Sequence, residues 1–469
     1  MESGSRGVAE PGAEYDVIVV GAGPAGATTA YYLAESRTRK AGRAPRVALL
    51  EKAHFPRDKV CGDAWCAPAL DILEDMGVLQ QLEREGLVRD ARAGGFISPA
   101  GECFVSAGSQ AGAPGTRVYA IKRIICDERI ARAAQKAGAE LVEGAAVEEA
   151  RLGGSGLWTI RCGDGRVFRS RLLVAADGAN SKLARKLGVV TTPPSGFAGR
   201  QYVKGGTHNF RADGVLFYPR YILPGYVALF RHYNDDIDLG SYVIPGGAAS
   251  AKDLPRLYEE RIRRDPLISA VLGPRAEYLE PLRMAPLRLG GVERSSGRQL
   301  LLVGDAAGQT DPLTGEGIHT GMIAARIAAE VAREMLARGD LSERACAGYH
   351  QRWQAAFGRE FPSSAMAARF TFRMPAMLDA ASRLAQRRGD AFMNEFGAAM
   401  TGLAPKTTFL RPNVAFPLVA ELVRQLLRGS RRSEERYAAC LAADPARETS
   451  FANACLLETG QLAGGPARC

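Results

Sequence analysis

The sequence has no Cys-x-x-Cys pair, although it carries nine cysteines (Cys61, Cys66, Cys103, Cys126, Cys162, Cys346, Cys440, Cys455 and Cys469). An odd, unpatterned set in a chain this long argues against a disulfide framework and fits a reducing compartment. The expected location is therefore cytoplasmic or organellar (plastid-like), and no metal is expected. Nowhere does an apolar run reach the ~18 residues that a spanning helix needs. Residues 1–13 are polar and glycine-containing, with no apolar signal core, and read as a disordered lead-in. Zinc-finger spacing is missing, and so is any basic tract interleaved with aromatics, which removes nucleic acid from the expected partners.

What is present starts with size. A chain of 469 residues has room for about two or three structural units. Lys and Arg number 61 against 51 Asp and Glu, a formal charge of +10. Such a basic surface suits an anionic membrane or an anionic substrate.

The chain is organised around residues 15–26. The β-branched run Tyr15-Asp16-Val17-Ile18-Val19-Val20 leads into Gly21-Ala22-Gly23-Pro24-Ala25-Gly26, and helix formers follow to Leu33. This is strand, tight turn, helix. Gly21 permits the turn, Gly23 lets a pyrophosphate approach the backbone, and Gly26 lets helix pack on strand. The helix start then offers free N–H groups to phosphates. A second strand, Arg46 to Leu50, ends in Glu51, placed to bind an adenosine ribose, with Lys52 beside it. The basic loop from Ser36 to Pro45 separates the two strands.

Further on, Phe55-Pro56-Arg57-Asp58-Lys59-Val60-Cys61-Gly62-Asp63 is a polar loop leading into a helix from Ala67 to Met76. A strand-rich patch covers residues 93–105. Residues 118–123 precede a segment from Cys126 to Ala134 with helical periodicity and Asp127 near its start. Strands are expected at 140–143, 158–161 and 171–176, the last ending in Asp177-Gly178. Residues 191–290 change character, with short strands, turn signals and many aromatics (Phe197, Tyr202, Phe210, Phe217, Tyr218, Tyr221, Tyr226, Phe230, Tyr233 and Tyr242). An antiparallel sheet with an aromatic face is expected there, part of it lining an apolar pocket. The dinucleotide pattern then returns as the strand Leu300 to Val303, Gly304-Asp305, the loop Pro312-Leu313-Thr314-Gly315-Glu316-Gly317-Ile318, and a small-residue helix to about Leu336. Asp305 after an apolar strand can accept hydrogen bonds from a polyol. A helix starting near Gly315 can stabilise negative charge on a ring. A flavin requires both features.

Taken together, Gly21 to Gly26, Asp177-Gly178-Ala179-Asn180-Ser181 and Gly304-Asp305-Ala306-Ala307-Gly308 resemble the FAD-dependent group that includes aromatic hydroxylases, flavin-dependent halogenases and geranylgeranyl reductases, over about residues 14–337. The loops Phe55 to Asp63 and Pro312 to Ile318 resemble those of geranylgeranyl reductase-like proteins. The resemblance implies an α/β fold: a Rossmann-like, aromatic-hydroxylase-type FAD domain (14–190 plus 291–337), an inserted antiparallel β-sheet substrate domain (191–290) and a helical C-terminal region (338–469). It implies FAD, with Cys61 and Gly62 beside the isoalloxazine and Arg57, Asp63 and Arg123 helping to hold the cofactor, as do Gly315, Gly317 and Ile318. The family often has a Tyr-x-Trp-x-Phe-Pro box lining its isoprenoid pocket. Here Tyr226 and Phe230 match, while Ala228 and Arg231 stand where Trp and Pro are usual. The halogenase Trp-x-Trp-x-Ile-Pro pattern is absent, since Trp65, Trp158 and Trp353 are isolated.

The expected activity is saturation of carbon–carbon double bonds in a prenyl chain of geranylgeranyl type by hydride from reduced flavin, on a prenyl lipid or prenyl diphosphate. An isolated alkene also needs a proton, and Cys61 is its candidate source. His232 and His319 are candidates by type, though a lone histidine is more often a packed or surface residue. An aromatic or polyketide monooxygenase, or a flavoprotein passing electrons to a quinone, shares the cofactor motifs. No second nucleotide motif exists, which suits NADPH docking transiently or another reductant. From Gly339 onward there are 17 Arg and Lys against 12 Asp and Glu. Val414 to Arg428 has helical apolar spacing. It suits a helix docked on its own domain, or one giving peripheral attachment to a membrane.

Overall fold

The computed structural model describes residues 14–35, 44–91, 94–105, 117–206, 213–244, 252–388, 392, 395, 398–399 and 404–428. The lead-in at 1–13, most of the loop between Ser36 and Pro45, Phe210 and the chain beyond Arg428 lie outside the described residues.

The opening strand, Glu14–Val20, is buried at every position after Glu14. It lies between two parallel neighbours, Val47–Leu50 and Val167–Ala175, with Val17 opposite Val47 on one side and Leu172 on the other. Strands covered on both faces need such continuous apolar runs. The sheet continues to Glu140–Val142 at one end and to Leu300–Leu302 at the other. The second half of the nucleotide pattern therefore joins the first across some 280 residues of chain, through the pairing of Leu173 with Leu300. Helices Pro24–Ala34, Ala67–Asp75, Arg123–Ala137 and Ile318–Arg338 cover one face around Val17, Leu49 and Leu172. The other face is closed by the antiparallel strands Val147–Leu152 and Trp158–Cys162. The helix expected at 67–76 is Ala67–Asp75, and beyond Gly77 at φ +71 a further helix, Val78–Arg84, follows. Arg123 is the first residue of its helix.

A second sheet runs in the order 277–278, 196–204, 237–243, 225–231, 214–217, 94–97 and 103–105, with Arg283–Leu287 also on Gly196–Lys204. Its strands alternate cleanly. Val227 and Leu229 point into a core shared with Leu254, Tyr258 and Ile268. Tyr226, Ala228 and Phe230, on the opposite face, line a cavity. The expected inserted antiparallel sheet is present, but it also draws on residues 94–105. Gly94–Ile97 pairs parallel with Gly214–Phe217, so part of the segment assigned to the FAD domain belongs to this sheet.

The C-terminal part forms helices Glu343–Phe357, Glu360–Arg373, Ala376–Arg388 and Pro412–Arg428. Phe372, Leu378 and Leu384 pack against Phe96, Tyr218 and Leu313. These helices roof the cavity side of the second sheet.

Candidate active site

The turn after the opening strand is built as the sequence requires. Gly21 has φ +103, and a Cβ there would lie 2.3 Å from the Ala176 carbonyl oxygen. A Cβ on Gly26 would lie 1.9 Å from the Gly21 oxygen. Gly23 differs: a Cβ would meet nothing within 4 Å, and the same holds for Gly62 and Gly178. All three open onto one cavity of about 740 Å³. Helix Pro24–Ala34 begins at this wall with no side-chain cap, leaving its first N–H groups to a ligand. Helix Ile318–Arg338 also starts uncapped, and its Gly317 and Ile318 line the same cavity. Glu51, at the end of Val47–Leu50, accepts a hydrogen bond from Ala22 N (3.0 Å) and so lies against the turn.

Two guanidiniums share one buried carboxylate. Arg123 holds Asp127 bidentately at 2.6 and 2.8 Å, and Arg57 donates to it at 2.5 Å. Burial opposes the Asp127 charge, but Arg123 and Arg57 hold the carboxyl below its ordinary range. Arg57 also pairs with Glu51 at 3.4 Å, so two buried acids balance the two guanidiniums. Arg123 lines the cavity; Arg57 instead donates to the Ala22 carbonyl at 2.9 Å and buttresses the turn. Asp305, on the opposite wall, accepts from Thr310 Oγ1 (3.0 Å) and pairs with Lys59. Burial works against its charge as well, yet Lys59 keeps its carboxyl lowered. Open glycine walls, two free helix starts and Arg123 suit FAD, and the residues lining the cavity fit it; Glu51 lies behind the turn, its carboxylate on Ala22 N, Ala53 N and Arg57.

Cys61 lines the cavity, and burial pushes its thiol up, with nearby Arg123 opposing. Beyond it the wall turns aromatic. Tyr226 and Tyr242 have ring centres 5.4 Å apart, and Tyr218 lies 5.8 Å from Tyr226. Tyr226 donates to the Thr314 carbonyl and Tyr242 to that of Pro312 (2.8 Å), tying the loop before Gly315 to the sheet. Gly315 has φ +69, and a Cβ there would press on the Tyr242 ring at 2.9 Å. Phe230 completes this row. Arg231 turns away and pairs with Asp235 at 2.7 Å, so only Ala228 changes the pocket where the Trp of the usual box would stand.

Seven expected cofactor residues lie outside the cavity lining: Gly21, Ala22, Glu51, Lys52, Arg57, Asp63 and Asp177. Asp63 is fully buried behind the Cys61-Gly62 loop, accepting from Tyr202 (2.5 Å) beside His232 Nε2 at 3.3 Å. Asp177 is occupied by Ser181 Oγ (2.5 Å) and Leu183 N (3.3 Å), so Gly178 reaches the cavity and its neighbour's carboxylate does not. Lys52 is exposed outside the cavity lining. His232 is buried within the Asp63 cluster, while His319 lines the cavity. Sequence reasoning missed Lys59, Glu316 and the helical wall formed by Met366, Phe370 and Phe372. Lys59 and Glu316 stood inside loops already singled out, but no local pattern separates a cavity-facing side chain from its neighbours.

An FAD binding domain family matches residues 14–208. A Dictyostelium discoideum protein called conditioned medium factor receptor 1 is 44% identical over 88% of this chain and 82% of its own. Digeranylgeranylglycerophospholipid reductase 1 of Methanopyrus kandleri is 32% identical over 74% of this chain and 88% of its own. Among solved structures, a geranylgeranyl bacteriochlorophyll reductase-like protein from Thermoplasma acidophilum superposes with a TM-score of 0.68 at 19% identity, covering 90% of this chain and all of that one. Fold and site thus define an FAD-dependent oxidoreductase with the aromatic-hydroxylase type of architecture. Within that class, the chain belongs to the geranylgeranyl reductase family.

Proposed function

We propose that the protein saturates carbon–carbon double bonds of a prenyl chain carried by a lipid or a diphosphate. One observation carries this reading. A single cavity joins a glycine-built dinucleotide end to an apolar wall of Tyr218, Tyr226, Phe230 and Phe372. A chain molecule lying along that wall would meet the flavin end with its alkene. Bound FAD, once reduced, supplies a hydride. The protein's own part is to hold the alkene still, exclude water and deliver a proton. Cys61 and Gly62 shape the floor at the reacting end. NADPH or another reductant is proposed as the electron source.

We also propose peripheral attachment to an anionic membrane on the cytoplasmic or organellar side. No helix among the described residues is long and apolar enough to cross a membrane. On helix Pro412–Arg428, however, Phe416, Val419, Val423 and Leu427 are exposed at 72, 51, 46 and 83%. Their spacing places them on one stripe. Leu410 and Phe370 are also exposed and line the cavity, so its mouth adjoins this apolar side.

The test of function is anaerobic. Dithionite-reduced protein incubated with geranylgeranyl diphosphate or a prenylquinone should yield saturated product. NADPH-driven oxygen uptake stimulated by a small aromatic, without prenyl reduction, would replace this reading by a monooxygenase. Reduction of an external quinone alone would make the protein an electron carrier. Flotation with anionic liposomes, weakening with salt, tests the attachment; absence of binding refutes it.

A further inference from the structure

A hydride added to an isolated alkene must be matched by a proton, and the cavity contains a carboxyl group at the join between its two ends. Glu316 stands between Gly315 and Gly317. Its loop is pinned: Asp311 N donates to the Glu316 carbonyl (2.8 Å), Gly315 N to the Asp311 carbonyl (2.9 Å), and Glu316 N to Thr314 Oγ1 (3.3 Å). The side chain lines the same cavity as Cys61 and Gly62 on the flavin side and as Tyr218 and Tyr226 on the aromatic side. Its Oε2 is buried without a hydrogen-bond partner. The imidazole of His319 stands 3.7 Å away at Nδ1, and Cys66 closes a cluster whose polar atoms lie within 4.8 Å of one another.

The groups facing this carboxyl set its proton affinity apart from theirs. Burial pushes Glu316 up to about 7, with Lys406 pulling down and Asp311 pushing up. Burial, helped by Lys406, pushes His319 down to about 4, so at neutral pH the imidazole is uncharged and is not an imidazolium acid. The Cys66 thiol and the Tyr226 phenol are driven well above their ordinary values by burial, and Tyr218 is raised too. They hold their protons too tightly to donate readily. Asp305, the carboxylate on the opposite wall, is lowered and already ionised. Two carboxyl groups in one cavity with separated proton affinities are the usual mark of an assigned acid.

We propose that Glu316 is the general acid of this cavity, delivering the proton that completes reduction of the double bond. This rests on the prenyl reductase reading. The Glu316 O–H bond breaks and its proton forms a C–H bond at one alkene carbon, while the hydride from reduced FAD forms the other. The alkene gains two electrons and the flavin loses two. The carboxylate left behind regains a proton from solvent in the cavity.

The test compares wild type, Glu316→Gln and Cys61→Ala as full-length holoprotein. Single-turnover reduction of geranylgeranyl diphosphate after anaerobic dithionite reduction should slow as pH rises through about 7 in wild type. Glu316→Gln should slow it by roughly 100- to 10,000-fold and flatten the pH profile, with the flavin absorption spectrum kept. In oxidised protein without substrate, infrared titration should show a protonated-carboxyl band that fades near pH 7 and is missing in Glu316→Gln. A band that fades below pH 5, or a pH profile that vanishes in Cys61→Ala and persists in Glu316→Gln, overturns the donor role. A wild type inert to every prenyl substrate, with the infrared band present, overturns the function reading and with it the alkene step.

Discussion

Lys59 Nζ lies 3.1 Å from Asp305 Oδ2, joining two walls of the cavity across 246 residues of sequence. The lysine is about two-fifths exposed, so the pair is worth at most about 1 kcal/mol in water. Its effect on proton binding should be easier to see. Asp305 has a lowered folded value, so it adds stability above the unfolded carboxyl value near 3.9 and loses it as pH falls through the folded one. Lys59→Met should therefore move the onset of acid unfolding to higher pH while changing stability at pH 7 by under about 1 kcal/mol. Thermal melts from about pH 3 to 7 measure this. An unchanged acid limb would show that the pairing does not control Asp305.

Asp127 carries a heavier burden. It is fully buried and pairs with the buried Arg123 and, beside Glu51, with the mostly buried Arg57. Asp127→Asn takes the carboxylate from the buried Arg123 and leaves Arg57 with Glu51 as its counter-charge, a change costing about 3–5 kcal/mol. The carboxyl is held low in the fold, so its contribution is full at neutral pH and disappears as pH drops below about 4. Urea unfolding should show a large gap between wild type and variant at pH 7 that narrows in acid. A gap under about 1 kcal/mol at pH 7 would contradict the buried trio.

The glycines of the opening turn should separate stability from binding. Gly23 has ordinary extended angles (φ −72, ψ 177) and open space at its Cβ. Gly23→Val should fold, with stability changed by about 0.5 kcal/mol, yet lose FAD at least tenfold because the new side chain occupies the cofactor's path. Gly26→Ala drives a methyl into the Gly21 carbonyl and should cost about 1–3 kcal/mol or more by overpacking. Flavin fluorescence on loading and melting temperature read the two effects. If Gly23→Val loaded FAD normally, the cradle would lie elsewhere.

This contrast also marks what the sequence could reveal. Gly21 and Gly26 answer to backbone crowding and Gly23 to open space for a ligand, so their spacing foretold strand, turn and helix, and a second copy of the pattern foretold that distant segments join in one domain. Asp63 and Asp177 looked equally motif-like, but their carboxylates are taken by Tyr202 and Ser181. Which carboxylate is used that way depends on chain distant from it, or on a cap that competes with the ligand. Along 226–230 the residues on both faces are apolar or aromatic. Periodicity could therefore not tell the cavity row of Tyr226, Ala228 and Phe230 from the core row of Val227 and Leu229. The helical wall had no signal beyond amphipathicity.

Ala228 offers a direct reading of where the substrate chain lies. It is buried between Tyr226 and Phe230 on the cavity face, opposite Gly240 in the neighbouring strand, so little side-chain mass fills that part of the wall. A tryptophan needs roughly 150–250 Å² of surface to bury, and here it would take that surface from the cavity. Ala228→Trp should leave flavin loading intact and discriminate by length. Reduction of geranylgeranyl diphosphate should fall at least tenfold in kcat/KM, while the shorter farnesyl diphosphate is affected less. The cavity gives the indole room, so the melting temperature should change little. Equal losses for both chains would place the prenyl tail on the other side of the flavin, and unchanged kinetics for both would remove the Tyr226 to Phe230 row from the substrate path.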